Sequence, residues 1–144
     1  MTLQELQKEF PDATDAIWHR HSNGGGWVEN TAYVDVSAFI GPDALVYGNA
    51  MVFEDALVYD NAWVFGNAEV FGNALVFGDA LVYENALVYD NAWVFGDALV
   101  YENALVYDNA MVSGYAEVSG DARVFGDALV YGNSQVYGDA HVYE

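Results

Sequence analysis

The sequence predicts an all-β fold: a three-sided parallel solenoid with eighteen residues to a coil and a short helical cap at its N-terminal end. Three observations predict it. Valine returns every six residues, from Val28, Val34, Ile40 and Val46 through to Val136 and Val142. Alanine stands two places before each, from Ala32 to Ala140, broken only by Ser134. No insertion disturbs this phase from about Gly26 to Glu144, so the unit A-x-V-[YF]-[GED]-[ND] governs most of the chain. A repeat this strict has to be read before any single residue.

Each part of the unit has a structural meaning. In A-x-V-Y the Ala and Val point one way and the x residue and Tyr the other, which is strand periodicity. The next pair (Gly-Asn, Gly-Asp, Asp-Asn or Glu-Asn) is turn chemistry, and Asn and Asp tolerate the left-handed backbone that a sharp corner needs. A hairpin array is excluded, because alternate strands would then need reversed patterns. A coil that turns the same way at every corner fits, and three sides close it. The inward groups are Ala and Val, which suit a narrow prism. Coils stacked at about 4.8 Å make a rod about 30 Å long, with like residues over like.

The two ends read differently. Thr2-Leu3-Gln4-Glu5 is a capping box that opens a short amphipathic helix with Leu3, Leu6 and Phe10 on one side, and Pro11 stops it. Asp12 to Arg20 is expected as a second short helix, and Ser22 to Gly26 as a flexible joint. Residues 1–25 are thus expected to cap the first coil of a solenoid spanning 26–144. The chain stops inside a repeat at His141-Val142-Tyr143-Glu144 with no matching cap, so that end is expected to template pairing with another chain.

The repeats Val-x-Gly-Asn-Ala-x, and above all Ile40-Gly41-Pro42-Asp43-Ala44, resemble the hexapeptide repeat of left-handed parallel β-helix proteins. The resemblance covers about four fifths of the chain. It implies a left-handed coil. It also implies kinship with trimeric acyltransferases that use acyl-CoA or acyl carrier protein, with γ-class carbonic anhydrases, and with bacterial proteins described only as transferase-like. The chain departs from the family pattern by placing Tyr or Phe after Val, where the family often has Gly.

Eighteen-residue coils stack the outward positions into columns. The first wall carries Trp27, Leu45, Trp63, Leu81 and Leu99 beside Tyr47, Phe65, Tyr83 and Tyr101. The second carries Tyr33, Met51, Leu87 and Leu105 beside Phe53, Phe71, Tyr89 and Tyr107. The third carries Phe39, Leu57, Leu75, Trp93 and Met111 beside Tyr59, Phe77 and Phe95. Three apolar walls would exceed what a soluble monomer normally exposes. The expected contact surface for lateral self-association is Leu81, Tyr83, Leu87, Tyr89, Trp93, Phe95, Leu99, Tyr101, Leu105 and Tyr107. The segment LVYDNAWVFG occurs at 57–66 and again at 87–96, an offset of thirty residues that is not a whole number of coils. The same text therefore falls on two walls, which argues against one dedicated groove and for packing, spacing or stiffness. Towards the C-terminal end Glu117, Arg123, Gln135 and His141 replace the aliphatic residues, so contact is expected over the central coils.

Composition narrows the function classes. The formal charge is −19, and the only Lys and Arg residues are Lys8, Arg20 and Arg123. Such a polyanion repels nucleic acid and anionic membranes, and it attracts cations or a basic partner. There is no cysteine, so disulfides and thiolate chemistry are absent. No stretch is long and apolar enough to span a bilayer. The opening MTLQELQKEF is not a signal peptide, which leaves the cytoplasm as the default compartment. Corner acids such as Glu84 over Glu102 and Asp90 over Asp108 read as solvated like charges, with Ca²⁺ binding as the other reading.

An enzyme reading finds little support. The acyltransferase resemblance implies a histidine base at a subunit interface, and the carbonic anhydrase resemblance implies three zinc-binding histidines among neighbouring coils. The only histidines are His19, His21 and His141, none of them in the central coils. No Ser-His-Asp set, phosphate-binding loop or CxxC is present. The chain is therefore expected to be non-catalytic: a structural or self-assembling rod with no catalytic residue, no metal, no cofactor and itself as partner. Two other readings stay open. One is an acyltransferase relative with activity present or lost. The other is a module that binds a polysaccharide on its aromatic ladders.

Overall fold

The computed structural model describes residues 1–144. One helix, α1 (Leu3–Glu9), precedes a parallel solenoid of three sheets. The first wall is an eight-stranded sheet running from Trp18–Arg20 and Trp27–Glu29 to Gln135–Val136. The second has seven strands, from Tyr33–Val34 to His141–Val142, and the third has six, from Phe39–Ile40 to Leu129–Val130. Within the coils each strand pairs in parallel with the strand one coil on, for example Leu75 with Trp93 and Leu87 with Leu105. Each of these offsets is eighteen residues, as the valine spacing requires.

The ladder has a fixed grammar. Leu81, Tyr83 and Asn85 donate their N–H groups to the carbonyls of Ala98, Val100 and Glu102 in the next coil, at 3.0, 3.0 and 2.9 Å. Ala86 donates back to Tyr83 at 3.3 Å and closes the corner. The amide of the first corner residue falls outside this scheme. On two corner columns an aspartate of the preceding coil accepts it: Asp60 from Gly78 at 3.2 Å, Asp90 from Asp108 at 3.3 Å, and Asp108 from Gly126 at 3.0 Å. In the first coil Glu29 and Asp35 reach across to Gly48 and Glu54 in the same way. The corner acids therefore satisfy backbone donors along the rod as well as charging its edges.

From Gly48 on, the left-handed backbone falls on the first residue of the corner pair. Glu54, Asp60, Glu84, Asp90, Glu102 and Asp108 have φ between 55° and 59°, alongside the corner glycines. The Asn or Asp in second place does not need it, because its amide already joins the ladder. A Cβ at Gly78 would come 2.9 Å from the Gly96 nitrogen, and its φ is +69°, so glycine suits that corner on both counts.

The core is a single column of 34 buried residues, nearly all Ala and Val, fully enclosed from Ala38 to Val124. With almost only methyl and isopropyl groups inside, the prism leaves little room for a larger side chain. Every large apolar residue of the coils except Ile40 is thereby sent outward.

The N-terminal segment departs from expectation in two places. Residues Trp18–Arg20 form a strand, β1, and not a second helix. It pairs antiparallel with β2 (Trp27–Glu29), setting Trp18 opposite Glu29 and Arg20 opposite Trp27. The open edge of the first coil offers unpaired backbone groups, and satisfying them outweighs the weak helical pattern of 12–20. The Ser22–Gly26 joint is a fitted turn over the first corners. Gly26 donates to Ile40, Ile40 donates to Asn23, and a Cβ at Gly24 would lie 2.1 Å from the Ile40 oxygen.

Helix α1 has the expected capping box, with Thr2 and Glu5 bonded reciprocally. It docks on the side of the rod. Leu6, Ala13, Trp18, Trp27 and Leu45 form a second buried cluster, with Leu3, Phe10, Tyr47 and Trp63 packed around it.

Candidate interaction walls

The outward positions are built by the same stacking as the core. Position V-plus-one of every coil lies one ladder step from its counterpart, so aromatic rings stack face to face. On the first wall Tyr47, Phe65, Tyr83 and Tyr101 follow one another at 4.7, 4.9 and 5.0 Å between ring centres. On the second, Phe53, Phe71, Tyr89 and Tyr107 stack at 4.7, 5.0 and 5.0 Å. On the third, Tyr59, Phe77 and Phe95 stack at 4.9 and 4.9 Å. The spacing is that of paired strands. Each ring shields its neighbours, so most of these side chains are half-buried and not fully bare.

The three walls differ in ways the column reading understates. The first is not open along its length. Leu45 and Trp27 are buried beneath α1 and β1, and Phe10 meets Tyr47 edge-on at 4.9 Å. The second is interrupted at its centre by Glu69, which stands between Met51 and Leu87 in the pairing register, and further on by Arg123. The third is continuous. From Phe39 through Leu57, Leu75, Trp93 and Met111 to Leu129 its outward positions carry no ionisable group other than tyrosine, and Trp93 is 37% exposed.

The ten residues expected as a contact surface are divided among the walls. Leu81, Tyr83, Leu99 and Tyr101 lie on the first. Leu87, Tyr89, Leu105 and Tyr107 lie on the second. Trp93 and Phe95 lie on the third. The ten do not converge on one patch.

Acidic corners border every wall. Between the second and third walls they form a groove of about 480 Å³, lined by Glu54, Asp90, Asp108 and Asp127 with Asn73, Asn91 and Asn109, and by no apolar residue. A smaller hollow of about 280 Å³ opens on the first wall where Ser119 ends the ring stack; Tyr101, Glu117, Gln135 and Tyr137 also line it. There the Tyr101 hydroxyl donates to Glu117 at 3.1 Å.

Burial acts on the tyrosines. The Tyr47 phenol is pushed well above its ordinary value, first by burial and then by the nearby Glu29 and Glu9 carboxylates. Tyr59, Tyr83 and Tyr89 are raised by burial first. At the exposed top of the second wall the Tyr33 hydroxyl donates to Asp35 and holds that carboxyl below the usual range, helped by the Glu54 amide.

The histidines are dispersed. His19 is exposed and its Nδ1 bonds the Asn30 side chain at 2.6 Å. His21 is buried, and its Nε2 donates to the Ala38 carbonyl at 2.7 Å, pinning the turn to the first coil. His19 lies within β1 and His21 just past its end, where the chain turns over the first coil. His141 lies in the last coil, edge-on to Phe125.

Comparison with known proteins agrees with the repeat. The family model described as YdcK Beta solenoid repeat matches residues 104–120, 116–132 and 122–138. These windows are displaced by twelve and six residues, whole numbers of the hexapeptide, and together they cover less than half of the chain. No curated protein and no solved structure matches. The chain is a β-solenoid repeat protein. No helix in it is long and apolar enough to cross a membrane.

Proposed function

We propose that this chain is a non-catalytic structural rod that self-associates through its outer walls over the central coils. One observation supports the reading most: the interior takes almost only Ala and Val, so the large apolar residues line the outside as ladders on three walls. The spread of Leu81, Leu87, Trp93, Leu99, Leu105 and their ring neighbours over all three walls suits lateral packing on more than one side. The acidic corners oppose close approach, so association strengthens with salt. Sedimentation equilibrium across dilution and NaCl series, with electron microscopy, tests it. Assemblies that grow with both concentration and salt are expected. A monomer throughout overturns the proposal.

A second reading has its own support. The hollow at Tyr101, Glu117, Ser119, Gln135 and Tyr137 combines two phenol rings with hydrogen-bonding groups, the chemistry that holds a sugar. Retention of the protein on polysaccharide columns, lost on replacing Tyr101 and Tyr137 by Ala, is its test. The acyltransferase kinship is tested by titration with acyl-CoA.

A further inference from the structure

Beyond self-association, we infer that the third wall is the docking lane for a cationic amphipathic helix of another protein. The molecule contains its own template for such a contact. On the first wall, α1 lays Leu6 and Phe10 over Leu45 and the neighbouring rings. Cations complete the rim of that seat: the N-terminal ammonium bonds Asp43 at 2.7 Å, and the Arg20 guanidinium lies 4.3 Å over the Trp27 ring. An apolar helix face is thus already one solution to a wall of this chemistry, with the flanking cations supplied by the N-terminus and β1, since α1 itself carries Glu5, Lys8 and Glu9.

The third wall repeats that chemistry without an occupant. Leu57, Leu75, Trp93 and Met111 form its strip. Acids border both sides, and neither border has a Lys or Arg. Glu54, Asp90, Asp108 and Asp127 line the groove along one edge, while Asp60, Asp79 and Asp97 follow the other. Dimensions agree. Six stacked strands span about 29 Å, and a strand-wide strip is about 13 Å across. A helix of about 20 residues is about 30 Å long and about 10 Å wide. Laid along the rod axis, it covers the strip and drops basic side chains into the groove. A second copy of this chain fits the same strip less well, because it brings acidic borders against acidic borders.

The test uses the full chain and a synthetic peptide of about 20 residues, with Leu on one helical face, Lys on both flanks and Ala elsewhere. Binding is read by fluorescence anisotropy of labelled peptide and by sedimentation velocity. One peptide per protein chain is expected, with affinity falling about tenfold from roughly 50 to 300 mM NaCl. Self-association responds to salt in the opposite sense, so failure of one proposal is distinguishable from failure of the other. A peptide with Glu in place of Lys is expected not to bind. Trp93→Glu on the third wall is expected to weaken binding at least tenfold, and Leu105→Glu on the second wall less than twofold. Each variant adds one negative charge, so general attraction to a polyanion predicts equal or tighter binding for both. Trp93→Ala, which adds no charge, is the check should Trp93→Glu fail to fold, and it too is expected to weaken binding. Equal effects of the Trp93 and Leu105 changes, binding of the Glu peptide, or binding that rises with salt would each overturn the inference.

Discussion

The upper part of the first wall and the middle of the third are made from the same residues, and they differ in what covers them. On the first, Leu45 and Trp27 are buried by a helix and strand of the same chain, whereas on the third Trp93 is 37% exposed. The hexapeptide fixes which residues point outward. It does not decide whether an outward residue ends up wet or dry. That depends on the twenty-five or so residues before the repeat, which choose one wall.

The largest expected effect breaks the covered region. Leu6 is fully buried in the seat of α1, so Leu6→Ala should cost about 3 kcal/mol. It should also shift tryptophan emission to the red as Trp27 and Trp63 become wet. Thermal melts and emission spectra read both.

Alkaline titration sharpens the contrast through Tyr47 and Tyr59. Both phenols are raised in the fold, Tyr47 by much the more, with burial the first cause in each. A raised phenol contributes stability that is complete below its ordinary value near 10. That stability is lost as pH climbs from there towards the folded value. Melting temperature should fall from pH 10 upward. Tyr47→Phe should flatten that fall more than Tyr59→Phe.

The corners offer a matched pair of opposite sign. Gly78→Ala, at φ +69° against the next coil's backbone, should destabilise by about 1 kcal/mol. Glu84→Gly, at φ +55°, relieves a left-handed glutamate and should stabilise by somewhat less than about 1 kcal/mol. Chemical denaturation of the two variants checks the signs.

On the open wall, Trp93→Ala removes a side chain that is more than a third exposed and otherwise packs edge-on against Phe77 and Phe95, so its loss should be smaller than that of Leu6→Ala. A loss near that of Leu6→Ala would mean that the third wall is also covered.

Legibility followed the repeat. Val46, Ala44 and their successors reveal the inward column because their period equals the coil, and the outward ladders follow by alternation. The cap was half legible. Thr2 and Glu5 announce α1 by capping chemistry, but nothing local in Trp18-His19-Arg20 signals a strand. Its partner Trp27–Glu29 is an edge that exists only once the first coil is wound. His21 escaped for the same reason, since the carbonyl it bonds, that of Ala38, lies seventeen residues away. The break at Glu69 could have been found in the sequence, at an outward position between Met51 and Leu87. The acids at the corners read as charge alone, because the backbone amides that Asp60, Asp90 and Asp108 accept appear only when coils stack.

Acrylamide quenching of two single-tryptophan proteins, one keeping Trp27 and the other Trp93 with the remaining tryptophans changed to Phe, tests the contrast most directly. The structure predicts that Trp93 is quenched several-fold more strongly than Trp27, which is 3% exposed. Equal quenching of the two would contradict it.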